Sequence, residues 1–264
     1  MEQVLKESEI TLDGISDLKI FQNKGGYRFS IDSPILAHFP ELSRKVMHMA
    51  DLGAGSGVVG LILARRFPWL RVYLVEIQKG LADLAKKNVS INGLDDRVCV
   101  IEADIRTLGA GRSTPLKPGS MDAVVTNPPY RPPDTGRLSR GDERAVARHE
   151  IKIDLEGVIA ASRRILKNGG RFFVVYDPAR MSDLVYFMKE AGIEPKRLCF
   201  VHSVEGRPAE MVLVEGIKSG GVELRVEPPL YIYDKKGGYT ERVRKMIEPQ
   251  KDEKSEDDPL IPNS

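Results

Sequence analysis

The chain has 264 residues, of which 41% are hydrophobic, and a formal net charge of +2. This composition allows a sizeable core and excludes a globally disordered chain, while the near-neutral charge neither requires nor excludes a nucleic-acid partner. No apolar run approaches the roughly 20 residues that cross a bilayer, and charged residues follow Met1 at once. We therefore expect no secretion signal, no membrane partner and a cytoplasmic location.

Residues 1–45 predict a small N-terminal extension that packs on the core. A weak alternation over residues 8–22 predicts a β-hairpin, with its turn at Asp13-Gly14. Further on, Asp32-Ser33-Pro34 predicts the start of a helix, with Ser33 as N-cap and Pro34 in the first helical position.

Residues 46–247 alternate between strand-like and helix-like stretches and predict the main domain. Strands are predicted over residues 46–51, 71–75, 98–101, 121–126, 171–176, 196–201 and 211–215. Helices are predicted over residues 57–67, 80–92, 154–166 and 179–191. This alternation predicts an α/β fold with a Rossmann-like, doubly wound, mostly parallel seven-stranded sheet. The last two strands lack a helix between them and predict an antiparallel edge hairpin, and residues 248–264 predict a disordered tail.

A glycine-rich turn, Asp51-Leu52-Gly53-Ala54-Gly55-Ser56-Gly57, joins the first strand of the predicted sheet to the following helix. Glycines at this place let the backbone turn sharply and approach a ligand. Alone, the pattern also fits a dinucleotide site or a plain tight turn. Asp51 would repel a pyrophosphate, but it suits a ligand that carries an amino or sulfonium group.

Two further carboxylates follow the next two predicted strands. Glu76 ends one of them, where a carboxylate can accept both hydroxyls of a ribose, and Asp104 follows the other. Taken singly, Glu76 can be a solvated strand-end charge and Asp104 the cap of the next turn. Three acidic groups around one glycine turn favour a nucleoside cofactor.

A strand also ends abruptly at Thr126-Asn127-Pro128-Pro129-Tyr130. Proline has no amide hydrogen, so a strand cannot continue through this stretch. Amide and carbonyl oxygens beside an aromatic ring, at the carboxyl end of a strand, suit a flat group that carries an amino nitrogen. The plainer interpretations are that Asn127 caps the strand and that Tyr130 covers the prolines.

These motifs together resemble the class I S-adenosylmethionine-dependent methyltransferases, whose Asn-Pro-Pro-Tyr members methylate planar nitrogens. Over roughly residues 8–245 the chain is similar to the bacterial tRNA(Val) adenine-N6-methyltransferases. The similarity is carried by residues 27–33, 75–78, 127–131, 147–150, 228–230 and 238–240.

The resemblance implies a methyltransferase domain over residues 46–247, with S-adenosyl-L-methionine as cofactor. It implies transfer of a methyl group to the N6 amino group of an adenine in structured RNA, with tRNA as the expected partner. The implied catalytic residues are Asn127, Pro128 and Tyr130. The implied cofactor-binding residues are Asp51, Gly53, Gly55, Gly57, Glu76, Asp104, Asp32 and Phe29. The implied substrate-binding residues are Pro129, Arg131, Arg148 and His149.

Several alternatives remain open at the level of sequence. The same chemistry is used on glutamine amides of proteins such as release factors and on amino groups of DNA, and a non-catalytic nucleoside-binding module can keep the fold. Intact Asn127 and Tyr130 disfavour the last of these. A cluster of basic residues and tyrosines near the C-terminus, which we call the C-terminal basic cluster, suits either RNA contact or a solvated edge. It comprises Tyr231, Tyr233, Lys235, Lys236, Tyr239, Arg242, Arg244 and Lys245.

No metal is expected. The histidines His38, His48 and His202 carry no ligand spacing, and the two cysteines, Cys99 and Cys199, lie far apart in apolar surroundings. Such cysteines are typical of core positions in a reducing compartment.

Overall fold

The computed structural model describes residues 10–23, 30–110, 116–128 and 155–248. The first element is an antiparallel hairpin of β1 (Ile10–Ile15) and β2 (Leu18–Asn23). The hairpin is present, but the predicted turn at Asp13-Gly14 is wrong, since both residues lie within β1. The turn falls at Ser16, with φ 49°, because its amide donates to the carbonyl of Ile247 and its hydroxyl to that of Met246.

Helix α1 (Asp32–His38) starts two residues earlier than the predicted N-cap would allow. Its N-cap is Ile31, no side chain caps it, and Ser33 is buried inside the first turn, so the prediction of Ser33 as N-cap is wrong. The amide of Ile35 donates to the carbonyl of Ile31 at 3.2 Å, which places Pro34 in the first turn. A proline is tolerated there because its missing amide hydrogen would have no helical partner.

Seven strands form the main part of the sheet, which confirms the predicted fold class. They are β3 (His48–Leu52), β4 (Arg71–Glu76), β5 (Val98–Glu102), β6 (Met121–Thr126), β7 (Leu166–Tyr176), β8 (Ile193–His202) and β9 (Ala209–Lys218). Their order is β8-β9-β7-β6-β3-β4-β5, and β9 alone runs antiparallel to its neighbours. Within the described residues, two short strands that pair with β8, β10 (Arg225–Val226) and β11 (Leu230–Tyr231), extend the sheet to nine strands.

Helices cover both faces of this sheet. They are α2 (Val58–Arg66), α3 (Lys79–Ile91), α4 (Leu155–Ile165), α5 (Met181–Glu190) and α6 (Glu241–Ile247). One core joins the apolar faces of α1, α2, α3 and α6 to the sheet, and a second core joins α4 and α5 to the opposite face. Adjacent residues of β3 show the division, because Met49 packs in the first core and Ala50 in the second. A mostly parallel sheet covered in this way leaves its carboxyl edge as the open side.

The start of β7 differs from the prediction, which ended a helix at residue 166 and began a strand at residue 171. The strand begins at Leu166, opposite Met121, and its pairing with β6 resumes between Arg171 and Ala123. The extra residues between these two pairs form an irregularity that includes Gly169, with φ 76°. A left-handed residue of this kind permits such a bulge.

The N-terminal residues are joined to the sheet by a group of charges around the buried Arg197. Arg197 donates to the carbonyl of Phe39 at 2.7 Å and forms ion pairs with Glu41 and Glu215, both at 2.9 Å. Arg171 forms a second ion pair with Glu215. The division of the chain into residues 1–45, 46–247 and 248–264 stays a prediction, and residues 249–264 lie outside the described residues.

Candidate active site

The predicted site motifs come together at the carboxyl edge of the sheet, where β6, β3, β4 and β5 are neighbours and run parallel. Leu52 of β3 is level with Thr126 of β6 on one side and with Val75 of β4 on the other. Asn127-Pro128, the glycine turn, Glu76 and Asp104 therefore follow one another along this edge. The site lies where ligands bind in open α/β sheets.

The glycine turn leaves open space at its surface. Gly53, Gly55 and Gly57 have φ values of 72°, 57° and 88°, in the left-handed region that favours glycine. A Cβ added at Gly53 or Gly55 would meet nothing within 4 Å, whereas one at Gly57 would lie 2.8 Å from a methyl of Leu74. The first two glycines thus keep the turn accessible to a ligand, and the third permits close packing of the helix.

Glu76 is only 4% exposed, which excludes the interpretation as a solvated strand-end charge. Its Oε2 accepts a hydrogen bond from the amide of Gly55 at 2.9 Å, and its Oε1 accepts one from the amide of Gln78 at 2.8 Å. Burial raises the pKa of this carboxyl, and the backbone hydrogen bonds oppose the rise. Each carboxylate oxygen keeps a lone pair with which it can accept a ligand hydroxyl.

Asp51 lies beneath the glycine turn and is 2% exposed. Its Oδ2 accepts a hydrogen bond of 3.0 Å from the amide of Gly60 in α2. Burial raises the pKa of Asp51 to about 7; the Gly60 hydrogen bond opposes this rise and the charge of Glu76 adds to it. The carboxyl thus ties β3 to α2 on either side of the turn, while a direct contact with a cofactor stays a prediction.

Asp104 caps the short 3-10 turn Ile105–Thr107 and binds Arg106. Its Oδ1 accepts from the amide of Arg106 at 2.9 Å, and its Oδ2 accepts from the Nε of Arg106 at 2.8 Å. Hydrogen bonding by Arg106 lowers the pKa of Asp104. The capping interpretation from the sequence describes these contacts, and the predicted cofactor contact stays a prediction.

On the other side of the glycine turn, β6 ends at Thr126, as predicted from the prolines. Asn127 is half-buried and Pro128 is buried. The Thr126 hydroxyl donates to the carbonyl of Leu52 at 2.8 Å and so joins the two strand ends directly before Asn127. Sequence reasoning missed this role of Thr126, because a threonine at the end of a strand carries no distinguishing pattern.

Of the remaining predicted site residues, only Asp32 lies within the described residues. Asp32 opens α1, which packs against α2, the helix that follows the glycine turn. The other residues predicted for the site lie outside the described residues, and their roles stay predictions; these are Phe29, Pro129, Tyr130, Arg131, Arg148 and His149.

Sequence reasoning also missed Asn88. This asparagine is fully buried in α3, and its amide binds the carbonyl of Ser56 inside the glycine turn. A polar residue among the buried positions of an amphipathic helix, here beside Ala85 and Val89, was the available signal.

Part of the C-terminal basic cluster lies beside the end of β8, because Tyr231 of β11 pairs with His202 of β8. The rings of Tyr233 and Tyr239 stack at 5.2 Å, Lys235 pairs with Glu205 at 3.0 Å, and Lys245 pairs with Glu241 at 2.8 Å. These acidic partners offset part of the positive charge, which favours the solvated edge over RNA contact.

No group of three or more His, Cys, Asp or Glu side chains in the described part of the chain could hold a metal ion. None of the helices in that part is long and apolar enough to cross a membrane.

Strand order and glycine turn together define a Rossmann-like α/β domain, with the candidate site at its carboxyl edge. Residues 31–190, more than half of the chain, match the methyltransferase small domain family. The chain belongs to this family.

Two relatives share the name tRNA1(Val) (adenine(37)-N6)-methyltransferase. The protein from Porphyromonas gingivalis is 29% identical over 168 residues, and the match covers 64% of this chain and 64% of that protein. The chain therefore spans less than two thirds of that relative. The protein from Aeromonas hydrophila is 29% identical over 200 residues, which is 75% of this chain and 80% of the relative.

Among solved structures, a predicted O-methyltransferase from Agrobacterium tumefaciens is similar in fold. It superposes with a TM-score of 0.64 at 21% identity and covers 81% of this chain and 94% of its own. At this identity the likeness shows the fold alone.

Proposed function

We propose that the protein is an S-adenosyl-L-methionine-dependent methyltransferase that methylates the N6 amino group of an adenine in structured RNA, with tRNA as the substrate. The observation that carries this proposal is the position of Asn127-Pro128 directly beside the glycine turn. The level pairing of Leu52 with Thr126, and the hydrogen bond between them, fix that position. The names of the two relatives support adenine in tRNA as the acceptor.

The residues at the edge of the sheet fit this cofactor. The turn offers open space at Gly53 and Gly55, and Glu76 offers acceptors for ribose hydroxyls. The carboxyls of Asp51 and Glu76 favour a cation over a pyrophosphate, since unpaired like charges repel. When bound, S-adenosylmethionine supplies a methyl group on a positively charged sulfur.

The protein's own contribution is to orient the acceptor. The lone pair of an aromatic amino group is delocalised into the ring, which makes the nitrogen a poor nucleophile. The Asn127 side-chain oxygen and the Pro128 carbonyl can accept the two amino hydrogens and hold them out of the ring plane, which localises the lone pair on the nitrogen. Alignment then supplies much of the rate acceleration. No general base is required, since the nitrogen becomes acidic and loses its proton after methyl transfer.

The acceptor requires access to this edge of the sheet. A stacked or paired adenine has to be extruded before its amino group can approach Asn127. A glutamine amide of a protein, or an amino group of DNA, presents a similar planar nitrogen and forms the second candidate substrate class. Action on tRNA corresponds to a cytoplasmic location, which belongs to the same proposal.

The test is to incubate the protein with methyl-labelled S-adenosylmethionine and, separately, with bulk tRNA, other RNA, DNA and release factors. We expect label in tRNA only, recovered after nuclease digestion as N6-methyladenosine and identified by mass spectrometry. Label in the release factors alone would overturn the RNA acceptor. Cofactor binding without any transfer would favour the non-catalytic module.

A further inference from the structure

The amide of Asn88 connects two segments that are distant in sequence. Its Oδ1 accepts from the amide of Phe21 in β2 at 2.7 Å, and its Nδ2 donates to the carbonyl of Phe21 at 3.1 Å. The same Nδ2 donates to the carbonyl of Ser56 at 2.9 Å. Both hydrogens of the amide and one lone pair of its oxygen are thereby used, as a fully buried polar group requires.

The Ser56 carbonyl is part of the glycine turn, which is fixed from two sides. On one side the amide of Gly55 donates to Glu76 of β4, and on the other the carbonyl of Ser56 accepts from Asn88 of α3. Helix α3 also packs against the turn, because Ala85 lies 3.6 Å from the place of a Cβ at Gly57. Two side chains from different elements thus set the orientation of two peptide units of the turn, those before Gly55 and after Ser56.

A second asparagine, Asn92, anchors the hairpin without supporting the turn. The side chain of Asn92, four residues after Asn88, accepts from the amide of Lys19 at 2.9 Å and donates to its carbonyl at 2.7 Å. It therefore holds β2 as Asn88 does. Within the described residues, the hydrogen bonds of this side chain reach only Lys19 and the backbone carbonyl of Asn88, and none reaches the turn.

We propose that Asn88 is a positioning residue of the cofactor site, which holds the Ser56 carbonyl so that the glycine turn is formed before the cofactor binds. This inference rests on the proposed function, in which the turn binds an S-adenosyl compound. A turn ordered in advance loses less conformational entropy when it binds, and so it binds more tightly. Asn88 acts through Ser56 and needs no contact with the ligand.

The test uses isosteric substitutions in the full chain, Asn88→Asp and the matched control Asn92→Asp. Asn88→Asp keeps an acceptor for the Phe21 amide but turns an oxygen toward the carbonyls of both Phe21 and Ser56, of which only the Ser56 carbonyl belongs to the turn. Calorimetry gives the Kd for S-adenosylhomocysteine, and hydrogen exchange of the ligand-free protein reports on the amides of Gly55 and Gly57. We expect Asn88→Asp to raise the Kd roughly tenfold, the equivalent of one lost hydrogen bond, and to speed exchange in the turn.

The control separates this role from general stabilisation. Asn92→Asp should lower the melting temperature while it changes the Kd by less than about twofold. Equal effects of the two substitutions on the Kd, or a wild-type Kd in Asn88→Asp, would overturn this inference and leave the proposed function standing. Wild-type protein that binds no S-adenosylhomocysteine would overturn the proposed function and this inference with it. If Asn88→Asp does not fold, Asn88→Ser is judged by the same two measurements.

Discussion

The hydroxyl of Thr126 donates a hydrogen bond to the carbonyl of Leu52 at the last paired position of the two central strands. The next residue on one strand is Asn127 and on the other Gly53. This buried bond, together with the backbone pairing of the two strands, therefore sets the spacing between the part of the site assigned to the acceptor and the part assigned to the cofactor.

Thr126→Val should impair the part of the site assigned to the acceptor and leave the part assigned to the cofactor intact. Valine has nearly the same shape but no donor, so the buried Leu52 carbonyl loses its partner, at a cost of about 1–3 kcal/mol in the free energy of unfolding. We expect kcat to fall while the Kd for the cofactor stays near the wild-type value. Urea unfolding measures the free energy of unfolding, methyl-transfer kinetics give kcat, and calorimetry gives the Kd. Thr126→Ser keeps the hydroxyl and should keep kcat; a similar loss in both variants would contradict this role.

Asn127→Ala should abolish turnover but not cofactor binding. The variant loses the side-chain oxygen that accepts an amino hydrogen, and we expect kcat to fall by on the order of 10²–10³-fold, as for loss of a preorganised polar group. Calorimetry with S-adenosylhomocysteine should give an unchanged Kd. The control is Asn168→Ala, at an exposed asparagine of β7. Full activity of Asn127→Ala would refute the mechanism.

Glu76→Gln should weaken cofactor binding itself. One of the two amides that Glu76 accepts from, Gly55 or Gln78, would then face an NH₂ group, and the negative charge beside the turn would be lost. We expect the Kd to rise by roughly tenfold or more. Glu102 pairs with Glu76 in the register of β4 and β5 but is exposed, so Glu102→Gln is the matched control. An effect of Glu102→Gln equal to that of Glu76→Gln would show that charge at this edge matters and specific contacts do not.

Asp51 should make the free energy of unfolding depend on pH. Burial raises the pKa of Asp51 to about 7 from an ordinary value of 3.8, so between about pH 4 and pH 7 the folded chain keeps a proton that the unfolded chain has released. Stability therefore falls as the pH rises through this window, by on the order of 4 kcal/mol at most for this group. The raised pKa of the neighbouring Glu76 acts in the same direction.

Urea unfolding at pH 5 and pH 7.5 should show a less favourable change in stability for the wild-type protein than for Asp51→Asn. The difference between the two proteins is the measurement, because the buried His38, whose pKa is lowered to about 4, makes stability rise over part of the same pH range in both. Asparagine can still accept the hydrogen bond from Gly60, so the change isolates the titrating charge. A slope in Asp51→Asn equal to that of the wild-type protein would show that Asp51 does not titrate in this range.

Local sequence patterns predicted the elements well where a local cause decides them. The prolines after Asn127 end β6 at the predicted residue, and glycines 53, 55 and 57 take the left-handed conformations that their type suggests. The alternation of apolar runs was enough to predict the seven main strands of the sheet and most of the helices that cover it. These features depend on residues close to one another in the chain.

The errors fall where a distant contact decides. The hairpin turn lies at Ser16 because Ile247 and Met246 bind it, which no pattern near Asp13-Gly14 could indicate. Burial of Glu76 depends on how the glycine turn folds over it, and the role of Asn88 depends on the meeting of three segments. Sequence patterns indicated which residues lie at this edge of the sheet, but the bonds between them required the fold.

The bonds from Ser16 to Met246 and Ile247 also join the tip of the N-terminal hairpin to α6, near the other end of the described chain. In topological terms the fold closes on itself, and a linker that spans about the length of β1, roughly 20 Å, can join the described ends. Circular permutation with new termini in the exposed connection between β8 and β9 should therefore preserve the fold, because such surface sites tolerate a break. The order in which the segments leave the ribosome is then separable from the architecture they build.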